Sequence, residues 1–177
     1  MAISCNLTKN LLRSNTCGYS LPEVKDIYLA NFASVASAPV SYDCESGVSV
    51  TAITMASSAD TFYHIEPAKN SVTFTDELVV SDNGSKHRTH SITFTIAGKY
   101  DKNMVCPVDA LSLGRFFVVV ATADGEYLAL GRTVGLEASE GSVAGGGDTN
   151  GITITLSGDV TETAIPLAQA AIDVVKG

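Results

Sequence analysis

Three histidines are the residues whose type could hold a metal ion or move a proton. His87 and His90 lie three positions apart, and His64 is distant from both in the sequence. The residues around the pair alternate as in a strand, where positions three apart point to opposite faces, so the pair cannot chelate one ion. A metal site would also need carboxylate or thiolate partners at a suitable spacing. We therefore predict solvated surface histidines and no metal site.

A glycine-rich stretch contains two further ligand-like patterns. Asp148, Asn150 and Gly151 match part of a calcium loop, but further oxygen ligands at fixed steps and the closing glutamate are missing. Residues 145–147 are all glycine, as in loops that cradle phosphate, yet no Lys-Ser or Lys-Thr pair follows them. We therefore predict a plain flexible loop over residues 141–151 and no bound cofactor.

The candidate nucleophiles and acids lack the partners that catalysis requires. No serine lies in a Gly-x-Ser-x-Gly elbow. Asp76 and Glu77 are neighbours on a predicted strand and face opposite ways, and Asp76 is expected to be bonded locally on its strand face. No cysteine spacing matches a zinc or redox pattern, so free thiols, some of them packed as small hydrophobes, are predicted for Cys5, Cys17, Cys44 and Cys106. The sequence predicts no catalytic residue and no enzyme.

Length and charge limit the classes of protein that the chain can belong to. Its 177 residues suit one domain, and 45% apolar against 17% charged residues indicates a globular chain. The net charge of −8 and the scattered cations argue against a nucleic-acid-binding surface, although an acidic lumen that lets DNA slide past stays open. No signal-peptide pattern and no run of about eighteen apolar residues is present, so no membrane anchor is predicted.

Period-two alternation predicts a mainly β chain. The clearest signal is in residues 72–80 and 89–96, two alternating strands joined by a polar Asp-Asn-Gly turn, which predict one long hairpin. On this hairpin one face carries Val72, Phe74, Asp76, Leu78 and Val80, and then His90, Ile92, Phe94 and Ile96. Further strands are predicted in residues 24–35, 47–55, 60–66, 115–131 (two strands about an Asp124-Gly125 turn), 135–140 and 152–158.

One helix is predicted within residues 100–114. Met104, Val108 and Leu111 recur at helical spacing, and Gly114 suits the end of a helix. Pro107 should limit or kink the middle of this region, so the helix is expected to begin properly near it.

The whole chain, residues 1–177, is predicted to form a single domain. Residues 1–23 are an N-terminal arm, and residues 159–177 fit either a helix or the end of a strand. The predicted fold is a β-sandwich or barrel with one packing helix and a long β-hairpin.

The hairpin tip carries the candidate subunit contacts, which are Asn83, Gly84, Lys86, His87 and Arg88. Its short cationic run could meet an acidic patch on a neighbouring copy of this acidic chain, or it could be a solvated loop. Strands rich in threonine and valine also offer edges with which other chains can pair. Ring-forming proteins need such heterologous contacts.

An ordered set of sequence phrases runs through residues 26–158. The phrases are IYLANFASV, VTAITM, TFYHIE, SVTFTDELVVSDNGSKHRTHSITFTI, VVVATADGEYLALG and DTNGITITLSG. This order resembles the tail-tube-type ring proteins and other structural proteins of crAss-like and related bacteriophages of Bacteroidetes. The sequence departs from that family at Pro107 and in its apolar ending AQAAIDVV, where a more strand-like ending is expected.

The resemblance implies a tail-tube-type β fold in a virion structural protein. Such proteins form hexameric or dodecameric rings in the tail or neck, contact neighbouring neck and tail proteins, and let DNA pass through the lumen without specific binding. The chain would be made in the cytoplasm of the host bacterium and end in the virion, without cofactors.

A monomeric carbohydrate-binding or adhesin-like β-sandwich is the alternative interpretation. Such domains bind sugars on exposed aromatic rings, whereas this chain has no tryptophan and most of its phenylalanines lie on predicted core faces. A cysteine-dependent enzyme is the least favoured of the three interpretations of the sequence.

Overall fold

The computed structural model of the chain describes residues 23–43, 47–98, 100–145 and 151–177. The described part is mainly β, with one large antiparallel sheet and two helices, where the sequence had predicted one helix. Several predictions lie outside the described residues: the arm except for Glu23, and those for Cys5, Cys17, Cys44, Asp148 and Asn150.

Thirteen strands and two helices are present in these ranges. The strands are β1 Val24–Asn31, β2 Val35–Ser37, β3 Val40–Asp43, β4 Gly47–Val50, β5 Thr54–Met55, β6 Tyr63–Ile65, β7 Thr73–Val80, β8 Lys86–Ala97, β9 Arg115–Thr122, β10 Tyr127–Leu130, β11 Leu136–Ala144, β12 Gly151–Val160 and β13 Ile165–Pro166. The helices are α1 Val105–Leu113 and α2 Gln169–Lys176, and a 3₁₀ turn, Phe32–Ser34, separates β1 from β2.

Nine of the strands form a sheet that folds over on itself. Its first part, which we call the inner sheet, has the order β6-β1-β9-β10-β13. Its second part, the outer sheet, has the order β11-β12-β8-β7. The two parts join where Leu136 and Glu137 of β11 pair with Phe116 and Arg115 of β9.

The main core lies between the inner and outer sheets. From the inner sheet, Ile27, Val118 and Leu130 are fully buried in it. From the outer sheet, Phe94 and Leu156 are buried in the same cluster. The two faces pack together because each strand presents apolar side chains at every second position.

Strand β9 is buried on both of its faces. Val118 and Val120 point into the main core, whereas Phe117 and Val119 belong to a second core on the opposite side of the inner sheet. The second core is covered by α2, whose Ala171 is fully buried there. A continuous apolar run is typical of a strand covered on both sides, which explains the sequence of β9. The C-terminal segment is thus β13 followed by a packing helix.

Three predicted boundaries were wrong because pairing partners are not visible in the sequence. The strand predicted over residues 24–35 breaks at the 3₁₀ turn, after which Val35 pairs with Met55 of β5. The strand predicted over residues 47–55 divides into β4, which pairs with β3, and β5, which pairs with β2. The loop predicted over residues 141–151 is strand at both ends, since Gly141–Ala144 pair with β12.

The long hairpin is confirmed as β7 and β8. Ile92 and Phe94 are buried on the inward face of β8, as the alternation predicts, and His90 is buried on the same face. On the same face of β7, however, Leu78 and Val80 are 57% and 56% exposed. The end of the hairpin therefore projects beyond the part of the outer sheet that the inner sheet covers.

The predicted first helix is α1, and it is confirmed. Pro107 lies in its first turn, where the missing N–H removes no helical hydrogen bond. The helix ends before Gly114, whose N–H donates to the Ala110 carbonyl at 2.9 Å.

Truncation of a buried core leucine should lower the free energy of unfolding much more than truncation of an exposed leucine. Leu156→Ala removes a side chain that is fully buried in the main core and should lower the free energy of unfolding by about 2–5 kcal/mol. Leu113→Ala, the matched control at an 88% exposed leucine, should change it by no more than about 0.5 kcal/mol. Urea unfolding followed by circular dichroism measures both. Equal losses would contradict the packing described here.

Candidate functional site

The three histidines lie in different environments and do not share a ligand. His87 and His90 point to opposite faces of β8, as expected for residues three apart. His64 on β6 lies 2.8 Å from Asp26 Oδ1 through its Nε2 atom and stacks on the Tyr28 ring. Among the described residues, no three His, Cys, Asp or Glu side chains come together in a way that could hold a metal ion. Cys106, a free thiol on α1, is exposed.

His90 is buried, so the prediction that it is a solvated surface histidine was wrong. Its side chain is 1% exposed, and its Nδ1 atom accepts a hydrogen bond of 3.2 Å from the Gly131 N–H. Its Nε2 atom faces Asp76 Oδ1 at 3.4 Å without forming a hydrogen bond. Burial lowers the pKa of His90 and outweighs the opposite effect of the Asp76 carboxylate. The imidazole is therefore held in its neutral form.

Asp76 joins three parts of the fold. Its Oδ1 atom accepts a hydrogen bond of 2.6 Å from Arg88 Nε on the neighbouring strand, and its Oδ2 atom accepts one of 2.9 Å from the Ala164 N–H. Burial alone would raise the pKa of Asp76, but these hydrogen bonds outweigh it and hold the pKa below its usual value. The expected local bond is thus present, together with a long-range bond to the connection between β12 and β13.

A second ion pair lies near this cluster. Arg132, in the turn after β10, forms a bidentate pair with Glu162, which is 7% exposed. Arg132 also donates to the Ala38 carbonyl at 2.7 Å. We call Asp76, Arg88, His90, Arg132 and Glu162 the polar clamp, because their bonds tie the hairpin, the turn after β10 and the β12–β13 connection together. A set of groups so largely bonded to one another is typical of structural support.

The structure places the five candidate contact residues in two groups. Asn83 and Gly84 form the turn, where Asn83 Oδ1 accepts from the Ser85 N–H and Gly84 has a φ of 79°. Lys86 is exposed beside the turn, and His87 is half-buried on the outward face. Arg88 points inward and is engaged by Asp76 in the polar clamp. Only the turn and Lys86 are therefore fully presented to a partner.

The outer sheet is open at both edges in the part of the chain that the structure describes. Strand β7 pairs with β8 alone, so its other edge is free from Thr73 to Val80. Strand β11 pairs with β12 along its length but with β9 only at Leu136 and Glu137. Its other edge is free over the exposed residues Gly141–Ala144. Free edges present unpaired N–H and C=O groups to which another strand can add.

The outward face of the outer sheet is lined by hydroxyl groups. Across β8 and β12 these side chains bond in pairs, with 2.9 Å between the Oγ1 atoms of Thr93 and Thr155 and 2.9 Å between those of Thr95 and Thr153. The acidic residues Glu77, Glu137, Glu140 and Asp159 lie on the same face. The alternating threonines of the sequence indicated this face, but nothing in the sequence indicated the Arg132–Glu162 pair.

Acid should destabilise the fold through His90. Because the pKa of His90 is lowered in the folded chain from 6.5, the unfolded chain binds more protons below that pH, and stability falls as the pH falls. His90→Gln keeps an acceptor for Gly131 but cannot titrate, so it should lose less stability between pH 7.5 and 5 than the natural chain. The difference is at most about 1.4 kcal/mol per pH unit below the normal histidine pKa.

Urea unfolding at both pH values measures this effect. His87→Gln is the matched control, since it removes a histidine from the opposite face of the same strand and should keep the acid sensitivity of the natural chain. A His90→Gln chain that is as acid-sensitive as the natural one would show that another group is responsible.

The comparisons with known proteins do not assign a function, which we therefore infer from the geometry of the described residues. No helix in the described ranges is long and apolar enough to span a membrane. Searches against protein-family models, curated proteins and solved structures found no match to this chain.

Proposed function

We propose that the chain is a structural subunit of a bacteriophage virion that forms a closed ring in the tail or neck, around the channel through which DNA passes. The observation that carries this proposal is the outer sheet, which within the described residues has two free edges, one at β7 and one at β11. The order of sequence phrases resembling tail-tube-type phage proteins supports the same function. Self-assembly, rather than catalysis, is the activity.

The two free edges have the polarity that a cyclic ring needs. Successive strands in the order β11-β12-β8-β7 are antiparallel, so β7 and β11 run in opposite directions. Rotation about an axis to which the strands are tilted by about 40° preserves the direction of each strand along that axis, so β7 of one copy would meet β11 of the next as an antiparallel pair. This contact is heterologous, and it closes when the rotation returns to the first copy.

The number of strands favours six copies over twelve. Six outer sheets would supply about two dozen strands, which at a spacing of about 4.8 Å and a tilt of about 40° close into a barrel of roughly 24 Å backbone radius. Such a barrel leaves a bore that a DNA duplex can pass with a layer of water. Twelve copies would double the radius to roughly 48 Å, far wider than a single duplex needs.

The outward face of the outer sheet suits the wall of such a channel. Its threonine hydroxyls are bonded to each other, and its charged side chains include the carboxylates Glu77, Glu140 and Asp159. Phosphate groups are repelled by carboxylates and find few cations to bind on this surface. DNA would therefore slide past without specific binding. Neighbouring neck and tail proteins would contact the two ends of the ring.

The ring is tested by the mass of the purified chain. Light scattering over a concentration series, with electron micrographs of the same sample, should show closed particles with a central hole and a mass near six subunits. Because tail subunits can need a template, the same measurement is repeated with cross-linked samples at the highest soluble concentration. Chains that remain monomeric under both conditions would contradict self-assembly through these edges.

A charge placed on the free edge of β11 should block assembly. Val143 is 49% exposed on that edge, so Val143→Lys should leave the fold intact and reduce ring formation at least about tenfold, since lysine on an edge strand opposes strand pairing. Val174→Lys, the matched control at a 37% exposed valine on α2, should assemble like the natural chain. Ring formation that is equal in both variants would exclude the β11 edge.

A further inference from the structure

The turn at the tip of the long hairpin contains an asparagine that is followed by a glycine. Asn83 and Gly84 lie between β7 and β8, and both residues are exposed. The backbone nitrogen of the residue after an asparagine can attack the side-chain amide carbon, and glycine hinders this attack least because it has no Cβ. The pair is therefore a candidate site of spontaneous covalent modification.

The geometry of the turn favours this attack. Asn83 Oδ1 accepts a hydrogen bond of 3.0 Å from the Ser85 N–H, which stabilises negative charge on that oxygen as the attack develops. Gly84 has a φ of 79°, and beyond its two chain neighbours no described atom lies within 4 Å of the place that a Cβ would occupy. The amide carbon is thus polarised, and the nitrogen that must reach it is not crowded.

One hydrogen bond of the turn opposes the reaction. The Gly84 N–H donates to the Ser81 carbonyl at 2.8 Å, and this N–H must lose its proton before the nitrogen can attack. The bond lies in an exposed turn, where water can replace it, so its loss costs little net free energy. The bond therefore slows the attack without preventing it.

We propose that Asn83 is the asparagine of this chain that deamidates first. Base in the solvent removes the proton of the Gly84 N–H, and the nitrogen forms a bond to Asn83 Cγ. The bond between Cγ and Nδ2 then breaks, and Nδ2 leaves as ammonia after taking a proton from water. A water molecule opens the cyclic imide at either of its carbonyl groups, which yields aspartate or isoaspartate. The net reaction consumes water, releases ammonia and involves no oxidation.

The reaction changes both the charge and the shape of the hairpin tip. Each product places a carboxylate where Asn83 had a neutral amide, close in sequence to the exposed Lys86. Isoaspartate also lengthens the main chain between β7 and β8 by a carbon atom, and the loop of a hairpin fixes the register of its strands. A tip that has reacted would therefore bind an acidic partner less well. This site does not depend on the proposed ring.

Asn70 provides a matched comparison within the same chain. It is also exposed, and it has the same place in a turn, since the following N–H, that of Ser71, donates to the Ala68 carbonyl at 3.1 Å. The residue after Asn70 has a side chain, however, and the Ser71 hydroxyl is bonded to the backbone of Ala68 and Thr95. Attack by the Ser71 nitrogen is therefore hindered both by the Cβ and by these bonds.

The other Asn-Gly pair of the sequence ends at a packed glycine. Gly151 is buried at the start of β12, and a Cβ there would meet the Ile96 carbonyl oxygen at 2.8 Å. Close packing of this backbone opposes the rotation that would bring its nitrogen onto a neighbouring side chain. We therefore expect Asn83 to react before Asn150.

Peptide mapping by mass spectrometry tests the assignment. The full chain is incubated in a mildly alkaline buffer in which circular dichroism shows it to be folded. Aspartate and isoaspartate should accumulate at Asn83 at least about tenfold faster than at Asn70, which requires a difference of only about 1.4 kcal/mol in the barrier. Enzymatic methylation identifies the isoaspartate. Equal rates at the two asparagines, or a faster reaction at Asn150, would overturn the proposal.

Two substitutions check the site without relying on peptide recovery. Asn83→Gln lengthens the side chain and disfavours closure of the ring, so the earliest acidic species seen by ion exchange should disappear. Asn70→Gln, the matched control in the other turn, should leave that species unchanged. An acidic species that persists in Asn83→Gln would show that another residue reacts first and would contradict the assignment.

The ring and the modification site can fail separately. Deamidation takes place within one chain, so Asn83 should still react at least about tenfold faster than Asn70 in Val143→Lys, the variant designed to block assembly. A slow Asn83 in that variant would overturn the modification site, whatever the oligomeric state of the natural chain. A fast Asn83 in a chain that never assembles would leave the site standing and count only against the ring.

Discussion

The burial of β9 on both faces is the constraint on which the rest of the structure depends. Residues 116–121 have less than a tenth of their surface exposed, and the side chains of residues 116–120 alternate between the main core and the second core. A strand that is apolar on both sides must be covered twice. The outer sheet covers one side, and α2 with the β3–β4 hairpin covers the other. The inner sheet therefore becomes the middle layer, and in the part of the chain that the structure describes the outer sheet is left with one face and two edges toward solvent.

The polar clamp marks the place where the main core ends. Beyond Ile92 on β8, the inward positions are His90 and then Arg88, and both face Asp76 on β7. Burying these groups costs free energy unless they are hydrogen-bonded, and among the fully buried side-chain N and O atoms of the described residues only His90 Nε2 lacks a partner. The clamp thus closes the end of the sandwich without apolar side chains. The hairpin continues past it, which leaves Leu78 and Val80 uncovered.

The free strand edges and the hydroxyl-rich face of the described structure both result from this layered arrangement. Free strand edges promote aggregation unless they are charged, covered or used, and the exposed edge residues of β7 and β11 include apolar side chains such as Val80 and Val143. The proposed ring gives these edges an occupant, which is a neighbouring copy of the chain. The hydroxyl-rich face needs no covering, because its threonines satisfy one another across β8 and β12.

The sequence by itself determined the elements whose signals are local. Alternation in β7, β8 and β12 and the continuous apolar run of β9 predicted those strands, and the spacing of Met104, Val108 and Leu111 predicted α1. The tertiary structure decided what depends on contacts between distant residues. Gly141–Ala144, which the sequence predicted to be loop, are strand because they pair with β12. The C-terminal segment, which the sequence left ambiguous, contains α2, whose buried residues pack in the second core. The burial of His90 and the hydrogen bond from the Ala164 N–H to Asp76 likewise depend on residues that are far apart in the chain. The local sequence cannot predict them, because the free energy of burial or pairing depends on both partners.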